Sequence, residues 1–205
     1  MDSKAVNRQL RQTVRPVLKA AGFDVFTERT AWRYWSLGID VVNFQSFNSY
    51  LAEAVGSTTF SFAVNLGMYF IYIPYSLGEE RIKRRGDRLL PQEYECMLRR
   101  PLHKSIWQPA LPRPNVWLVE PDGSNLVAVV NDAEKVLKSE GLPWFEQYRD
   151  PTRLLQVLLE VPEAVLDDGT HGFGANPSPI RSYLTSFTTS HLELREQPLS
   201  GSTHC

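Results

Sequence analysis

Alternation of apolar with small or polar residues dominates the stretch 58–73 and predicts a long β-strand there. Its apolar side carries Phe60, Phe62, Val64, Leu66 and Met68, and its other side carries Ser61, Ala63, Asn65 and Gly67. The apolar side is expected to face the core. The small side leaves room for a helix or a ligand to approach the strand closely.

Three further strands are predicted over 23–28, 31–37 and 39–47, with a loop over 48–57. Most of the aromatic residues of the chain fall between Gly22 and Tyr75. Because aromatic and β-branched side chains fit a pleated, half-buried surface, this region is predicted to be the centre of an antiparallel sheet.

Helices are predicted towards both ends of the chain. Residues 3–21 carry apolar side chains at three- and four-residue steps, Pro16 predicts a kink or a restart, and Gly22 predicts the end. The basic residues of this helix would also suit a membrane-surface helix, but its narrow apolar face favours a soluble helix packed on the sheet. Further helices are predicted over 150–160 and from Pro179.

The middle of the chain carries weaker signals. Residues 76–92 are polar and charged and predict a long exposed loop, while 94–98 and 116–120 each predict a short strand. Residues 124–140 fit either the return strand of a hairpin or a helix. Helical spacing, with Gly141 as the end, favours the helix.

These elements together predict one α+β domain over 1–196, in which an antiparallel sheet is covered on one face by the N-terminal and C-terminal helices. A chain of 205 residues buries enough surface for one core. The polar residues 197–205 are expected to form a disordered tail.

Charge and cysteine content restrict the possible functions. The formal net charge of −1 argues against a chain devoted to nucleic acid or to an anionic membrane. No apolar stretch approaches the length of a membrane span, and no signal-peptide core is recognisable. The two cysteines, Cys96 and Cys205, suit a reducing compartment, so a cytoplasmic protein is expected.

The sequence contains no phosphate-binding loop, nucleophile elbow or zinc-binding histidine pair. The nearest approach to a catalytic motif is the glycine-rich segment 167–174, in which Asp168 and His171 are weak candidates for acid–base work or a metal site. We prefer the interpretation that this segment is a mobile connecting loop with solvated charges, because glycines in such segments commonly allow the backbone to turn. No cofactor is therefore expected.

Three amide side chains are candidates for binding. Asn43 and Gln45 share one face of the third predicted strand, and Asn65 lies on the small side of the fourth. If the two faces coincide, the amides converge on the sheet surface and bind a ligand or a partner's backbone. The alternative is that they pair with one another or with loop backbone.

The basic segment 81–104, with Arg84 and Arg85 near its start, is a candidate contact for phosphates or for an acidic protein. Acidic residues are interspersed with the basic ones, and aromatic residues do not alternate with them as base stacking requires. A solvated loop is therefore the preferred interpretation.

The motifs Gly22–Phe23, Val41–Ser46 (VVNFQS) and Phe62–Gly67 (FAVNLG) together resemble a bacterial family known only as domain of unknown function number forty-three-oh-four. Weaker similarity continues to the Gly172–Gly174 stretch, so the resemblance covers most of residues 5–195. It implies a small intracellular partner-binding protein, in some members similar to the immunity proteins of toxin systems.

We therefore expect a cytoplasmic, non-catalytic protein that recognises a protein partner. Two alternatives remain open: an enzyme of unrecognised type that uses 167–174, and weak nucleic-acid contact through 81–104. A membrane partner is not expected, and the sequence leaves the oligomeric state open.

Overall fold

The computed structural model describes residues 1–73, 78–160, 171–172, 183, 185–187 and 189–190. Its strands are β1 (Val25–Phe26), β2 (Thr30–Trp35), β3 (Gly38–Ser46), β4 (Phe62–Phe70), β5 (Arg84–Arg85), β6 (Arg88–Leu89), β7 (Leu98–Pro101) and β8 (His171–Gly172). Its helices are α1 (Ser3–Ala20), α2 (Ser49–Val55), α3 (Leu126–Val136), α4 (Leu142–Tyr148) and α5 (Pro151–Glu160). One antiparallel sheet has the order β1-β2-β3-β4-β7-β8, and β5 and β6 form a separate hairpin.

The helices cover one face of the sheet, which confirms the predicted single α+β domain. Val42, Leu66 and Met68 project to this face from β3 and β4 and are buried. The side of α1 that packs here consists of Val6, Leu10, Val14 and Leu18. From α4, the ring of Phe145 meets Phe23 edge to face at 5.9 Å.

The opposite face is covered in part by the segment between β4 and β7. Trp32 Nε1 donates to the carbonyl oxygen of Pro91 at 2.8 Å, and both Ile82 and Leu90 are buried. The prediction of a long exposed loop over 76–92 is therefore wrong for these anchoring residues. The polar composition of the segment gave no sign of this packing, because only a few apolar side chains hold the segment on the sheet.

The small side of β4 allows a close approach, as predicted, but the neighbour is this segment in place of the expected helix or ligand. A Cβ atom on Gly67 would lie 2.6 Å from Cys96 Sγ, so a side chain at this position would displace the cysteine. A 3₁₀ turn, Glu93–Glu95, brings the cysteine there. The strand predicted over 94–98 is consequently wrong, because strand pairing begins only at Leu98.

Two predicted boundaries beside β4 are also wrong. The loop predicted over 48–57 contains α2, because the Asn48 side chain accepts from the Leu51 N–H at 2.8 Å and Gly56 ends the helix with a φ of 72°. The strand predicted over 58–73 is shorter, since β4 begins at Phe62.

The prediction for residues 116–120 is wrong, and the prediction for residues 124–140 is confirmed. The strand predicted over 116–120 is reduced to one bridge between Trp117 and Phe62. The helix favoured over 124–140 is confirmed as α3, and a π-helical turn, Leu137–Gly141, leads directly into α4.

The helix restart predicted at Pro16 and the helix end predicted at Gly141 are both wrong, while the alternative of a kink at Pro16 stays a prediction. Pro16 lies inside the continuous α1 on its exposed side, where water can satisfy the carbonyl group left without an N–H partner. Gly141 does not end a helix either. A Cβ there would lie 2.9 Å from Leu137 Cδ1 and 3.2 Å from Leu102 Cδ1, so the glycine permits close packing instead.

The C-terminal predictions are covered in part by the described residues. The helix predicted over 150–160 is confirmed as α5. The described residues between 183 and 190 are helical, in agreement with the helix predicted from Pro179. The predicted tail, 197–205, lies outside the described residues.

Candidate functional site

The three candidate amides come together on the sheet face opposite the helices. Asn65 lies directly across from Asn43 in the register of β3 and β4, and its Nδ2 donates to Gln45 Oε1 at 2.8 Å. Asn43 Nδ2 donates to Thr30 Oγ1 at 2.9 Å. The predicted convergence is confirmed, and the alternative that the amides pair with one another holds for Asn65 and Gln45. Their role in binding a ligand stays a prediction.

The basic segment 81–104 does not form one continuous charged surface. Arg84 and Arg85 are exposed in the β5–β6 hairpin. Further along, Arg99 Nε donates to the carboxylate of Glu93 at 2.6 Å and is neutralised there. Exposed positive charge is therefore concentrated in and next to the hairpin, and partner binding by the hairpin stays a prediction.

The glycine-rich segment 167–174 is described only at His171 and Gly172. These two residues form β8, which pairs with β7 at one edge of the sheet. Asp168 lies outside the described residues. Within the described ranges, no group of three or more histidine, cysteine, aspartate and glutamate side chains is arranged to hold a metal ion.

A buried carboxylate, Asp40, joins the sheet to α4. Arg33 Nε and Arg149 Nη2 donate to its Oδ2 at 2.8 Å and 2.6 Å, and Trp35 Nε1 donates to its Oδ1 at 3.1 Å. Burial raises the pKa of Asp40, and the two guanidinium groups act against that rise. Its side chain has no exposed surface, so a ligand has no access to it.

Two further reactive side chains are enclosed by the fold. Burial raises the pKa of the Cys96 thiol well above its ordinary value, and the nearby Glu93 acts in the same direction. Asp132 on α3 accepts hydrogen bonds from the Ser105 N–H at 3.0 Å and from Trp117 Nε1 at 2.9 Å. Both side chains are almost fully buried, so their contacts serve the packing of the domain.

The exposed side of α1 carries a row of basic residues that the sequence analysis did not identify as a site. The row consists of Lys4, Arg8, Arg11 and Arg15. Its spacing of four, three and four residues places all of its members along one side of the helix. Together with Asn7 and Glu28, the row lines an open cavity of about 260 Å³, which we call the α1 groove.

The two walls of the α1 groove are α1 itself and the turn between β1 and β2. The Asp2 side chain caps α1 by accepting from the Ala5 N–H at 2.8 Å, which fixes the start of the basic row. Across the groove, Asn7 Nδ2 donates to Glu28 Oε2 at 2.6 Å. The β1–β2 turn lies beside α1 only because β1 and β2 pair. Helical spacing in the sequence therefore predicts the basic row but not the cavity.

Three of the four basic side chains in the row are free. Lys4, Arg8 and Arg11 are exposed and make no hydrogen bond or ion pair to any other residue that the structure describes. Arg15 is the exception, because its Nη2 donates to the carbonyl oxygen of Thr27 at 2.7 Å. The α1 groove is therefore a local positive surface on a chain whose formal net charge is −1.

Residues 14–147 match the model of the family described as Domain of unknown function (DUF4304). The chain belongs to this family. The match confirms the resemblance to this family over residues 14–147, and the extension of the resemblance over most of residues 5–195 stays a prediction. Arg15 and Glu28 lie within the matched residues, whereas the free members of the basic row precede them.

No curated protein and no solved structure matches the chain. In the part of the chain that the structure describes, no helix combines the length and the apolar character needed to cross a membrane.

Proposed function

We propose that this protein is a non-catalytic, cytoplasmic binding protein that recognises a protein partner through the α1 groove. The observation that carries the proposal is the row of exposed basic side chains whose members Lys4, Arg8 and Arg11 have no acidic partner among the described residues. Positive charge arranged in this way attracts an acidic surface and favours rapid, oriented association.

The placement of the reactive groups supports binding rather than catalysis. A catalytic acid or base must lie within hydrogen-bond reach of its substrate. Asp40, Cys96 and Asp132 are instead buried, and the two carboxylates hydrogen-bond to the fold itself. The α1 groove has one carboxylate in its lining, Glu28, which already accepts a hydrogen bond from Asn7.

Co-purification from the cells that produce the protein tests this proposal. The groove variant Arg8→Glu/Arg11→Glu and the hairpin variant Arg84→Glu/Arg85→Glu make the same change in net charge at two exposed surfaces. We expect wild type and the hairpin variant to retain one protein in stoichiometric amount, and the groove variant to lose it. The proposal would be contradicted if only the hairpin variant lost the co-purified protein, or if the wild type retained nucleic acid in place of a protein.

A further inference from the structure

Helix α1 carries basic side chains and no acidic one. Its basic residues are Lys4, Arg8, Arg11, Arg15 and Lys19. Like charges three or four residues apart on a helix surface destabilise the helix, and no carboxylate on α1 offsets that repulsion. A bound anion would relieve the repulsion, so anion binding and the stability of α1 are linked.

Arg8 and Arg11 can reach one anion in the α1 groove together. Residues three positions apart on a helix have Cβ atoms about 5–6 Å apart, and both guanidinium side chains are exposed and line the same cavity. Lys4 lines the cavity one turn earlier and is also exposed. All three side chains are open to solvent, so an incoming anion bonds to them without displacing a contact among the described residues.

The charge around the α1 groove indicates which anion fits. The four cations of the basic row and the single carboxylate of Glu28 leave three positive charges in the lining. A phosphoryl monoester carries about 1.5–2 negative charges at neutral pH and three strong acceptor oxygens. Two neighbouring guanidinium groups match these oxygens better than those of one carboxylate, and a further carboxylate beside the phosphoryl group balances the remaining charge.

We propose that the α1 groove binds a phosphorylated side chain of the protein partner, whose phosphoryl oxygens accept hydrogen bonds from Arg8 and Arg11 while a neighbouring carboxylate pairs with Lys4. The inference rests on the proposed function and adds the chemical group that is recognised. Asn7 donates to Glu28 and therefore serves the wall of the groove.

The phosphodiester backbone of a nucleic acid fits the α1 groove less well. A phosphodiester carries only one negative charge, and proteins that bind single strands stack the bases on open aromatic faces. The described residues that line the groove include no aromatic side chain. On β1, the ring of Phe26 is covered by the Arg15 guanidinium group, whose central carbon lies 4.8 Å from the ring centroid. The groove therefore offers charge without a surface for base stacking.

Nuclear magnetic resonance titration of the full chain with synthetic peptides tests the inference. The probe is a short, end-blocked peptide of glycine and alanine with a central phosphoserine between two glutamates. Matched peptides have glutamate or serine at the central position, and inorganic phosphate and an oligothymidylate are separate probes. We expect the phosphoserine peptide to shift backbone signals of residues 4–15 and 27–28. The glutamate peptide and inorganic phosphate should bind at least about threefold more weakly, and the serine peptide at least about tenfold.

Variants of the protein make the test specific for the guanidinium pair. Arg8→Gln/Arg11→Gln is expected to weaken the phosphoserine peptide at least about tenfold. Arg8→Lys/Arg11→Lys should fall between that variant and wild type, because lysine keeps the charge but lacks the planar fork. Arg84→Gln/Arg85→Gln removes the same charge from the exposed hairpin and should change little. Signal dispersion in the same spectra shows that each variant is folded.

Acidification gives a second readout that depends on the phosphoryl group. Its second pKa is about 6, so lowering the pH from about 7.5 to about 5.5 converts most of the dianion to the monoanion. The phosphoserine peptide should then bind about twofold to fourfold more weakly, whereas the glutamate peptide stays ionised and should change less. The described lining contains no histidine, and Glu28 is its one carboxylate.

The outcomes separate this inference from the proposed function. If the glutamate peptide or inorganic phosphate binds as tightly as the phosphoserine peptide, or if Arg8→Gln/Arg11→Gln leaves its affinity unchanged, recognition of a phosphorylated side chain is refuted. Partner retention in the co-purification test would still stand in that case. If the oligothymidylate shifts the same residues and binds more tightly than the phosphoserine peptide, both the inference and the proposed function fall.

Discussion

Replacement of Phe62 by alanine tests the packing of the central strand. The Phe62 side chain has no exposed surface, its ring stacks on Trp117 at 5.9 Å with 6° between the planes, and it meets Phe44 edge to face at 6.1 Å. Backbone hydrogen bonds of 2.9 Å and 3.2 Å tie the same residue to Trp117, so the surrounding structure cannot collapse easily into the space left by the ring.

The expected loss follows from these contacts. Truncation of a buried phenylalanine typically costs about 3–5 kcal/mol, and an aromatic pair adds about 0.5–1.5 kcal/mol beyond buried area. We therefore expect Phe62→Ala to lower the free energy of unfolding by about 4–5 kcal/mol, measured by urea denaturation followed by tryptophan fluorescence. The control Phe60→Ala, at a partly exposed residue before β4, should cost about 1–2 kcal/mol. A loss below about 1 kcal/mol for Phe62→Ala would refute the placement of this face in the core.

Three further predictions concern the buried polar and close-packed sites. In a Cys205→Ser background, the Cys96 thiol should not react with an aromatic disulfide reagent at mildly alkaline pH until denaturant is added, because burial raises its pKa and keeps it protonated where free thiols ionise. Rapid reaction in the native state would show that the thiol is accessible. Gly67→Ala should destabilise the domain by about 1–3 kcal/mol in the urea assay, because the new Cβ overlaps the cysteine sulfur; an unchanged midpoint would contradict this packing. Asp132→Ala should cost about 1–3 kcal/mol, because Trp117 Nε1 loses its acceptor inside the protein, and a neutral effect would mean that water replaces the carboxylate.

Period-two alternation predicted β4 well because one side of this strand is buried along its whole length, from Phe62 to Phe70. The register between β3 and β4 places their polar faces on the same side of the sheet. The amide cluster of Asn43, Gln45 and Asn65 follows from that register alone. The same pattern failed over 94–98, where a 3₁₀ turn precedes the strand and Cys96, Met97 and Leu98 are all buried. Over 116–120 no strand forms although residues 116–119 are all buried, because the backbone of Leu118 bonds to the Gln108 side chain.

The α1 groove could be predicted only in part. The basic row is visible in the spacing of Lys4, Arg8, Arg11 and Arg15, which belong to one helix. The second wall is formed by the β1–β2 turn, and neither its position nor the cavity between the two walls can be read from local sequence. Such features depend on how elements that are distant in sequence pack together, so only the folded structure identifies them.

Site-specific photocrosslinking in living cells tests the central claim most directly. A photoreactive amino acid would replace Arg8 in the α1 groove and, as a control, Lys135 on the exposed side of α3. The account predicts a discrete protein adduct from position 8 that disappears when Arg11→Glu is added, and no such adduct from position 135. The same adduct from both positions, or none from position 8, would contradict the claim that the α1 groove contacts a protein partner.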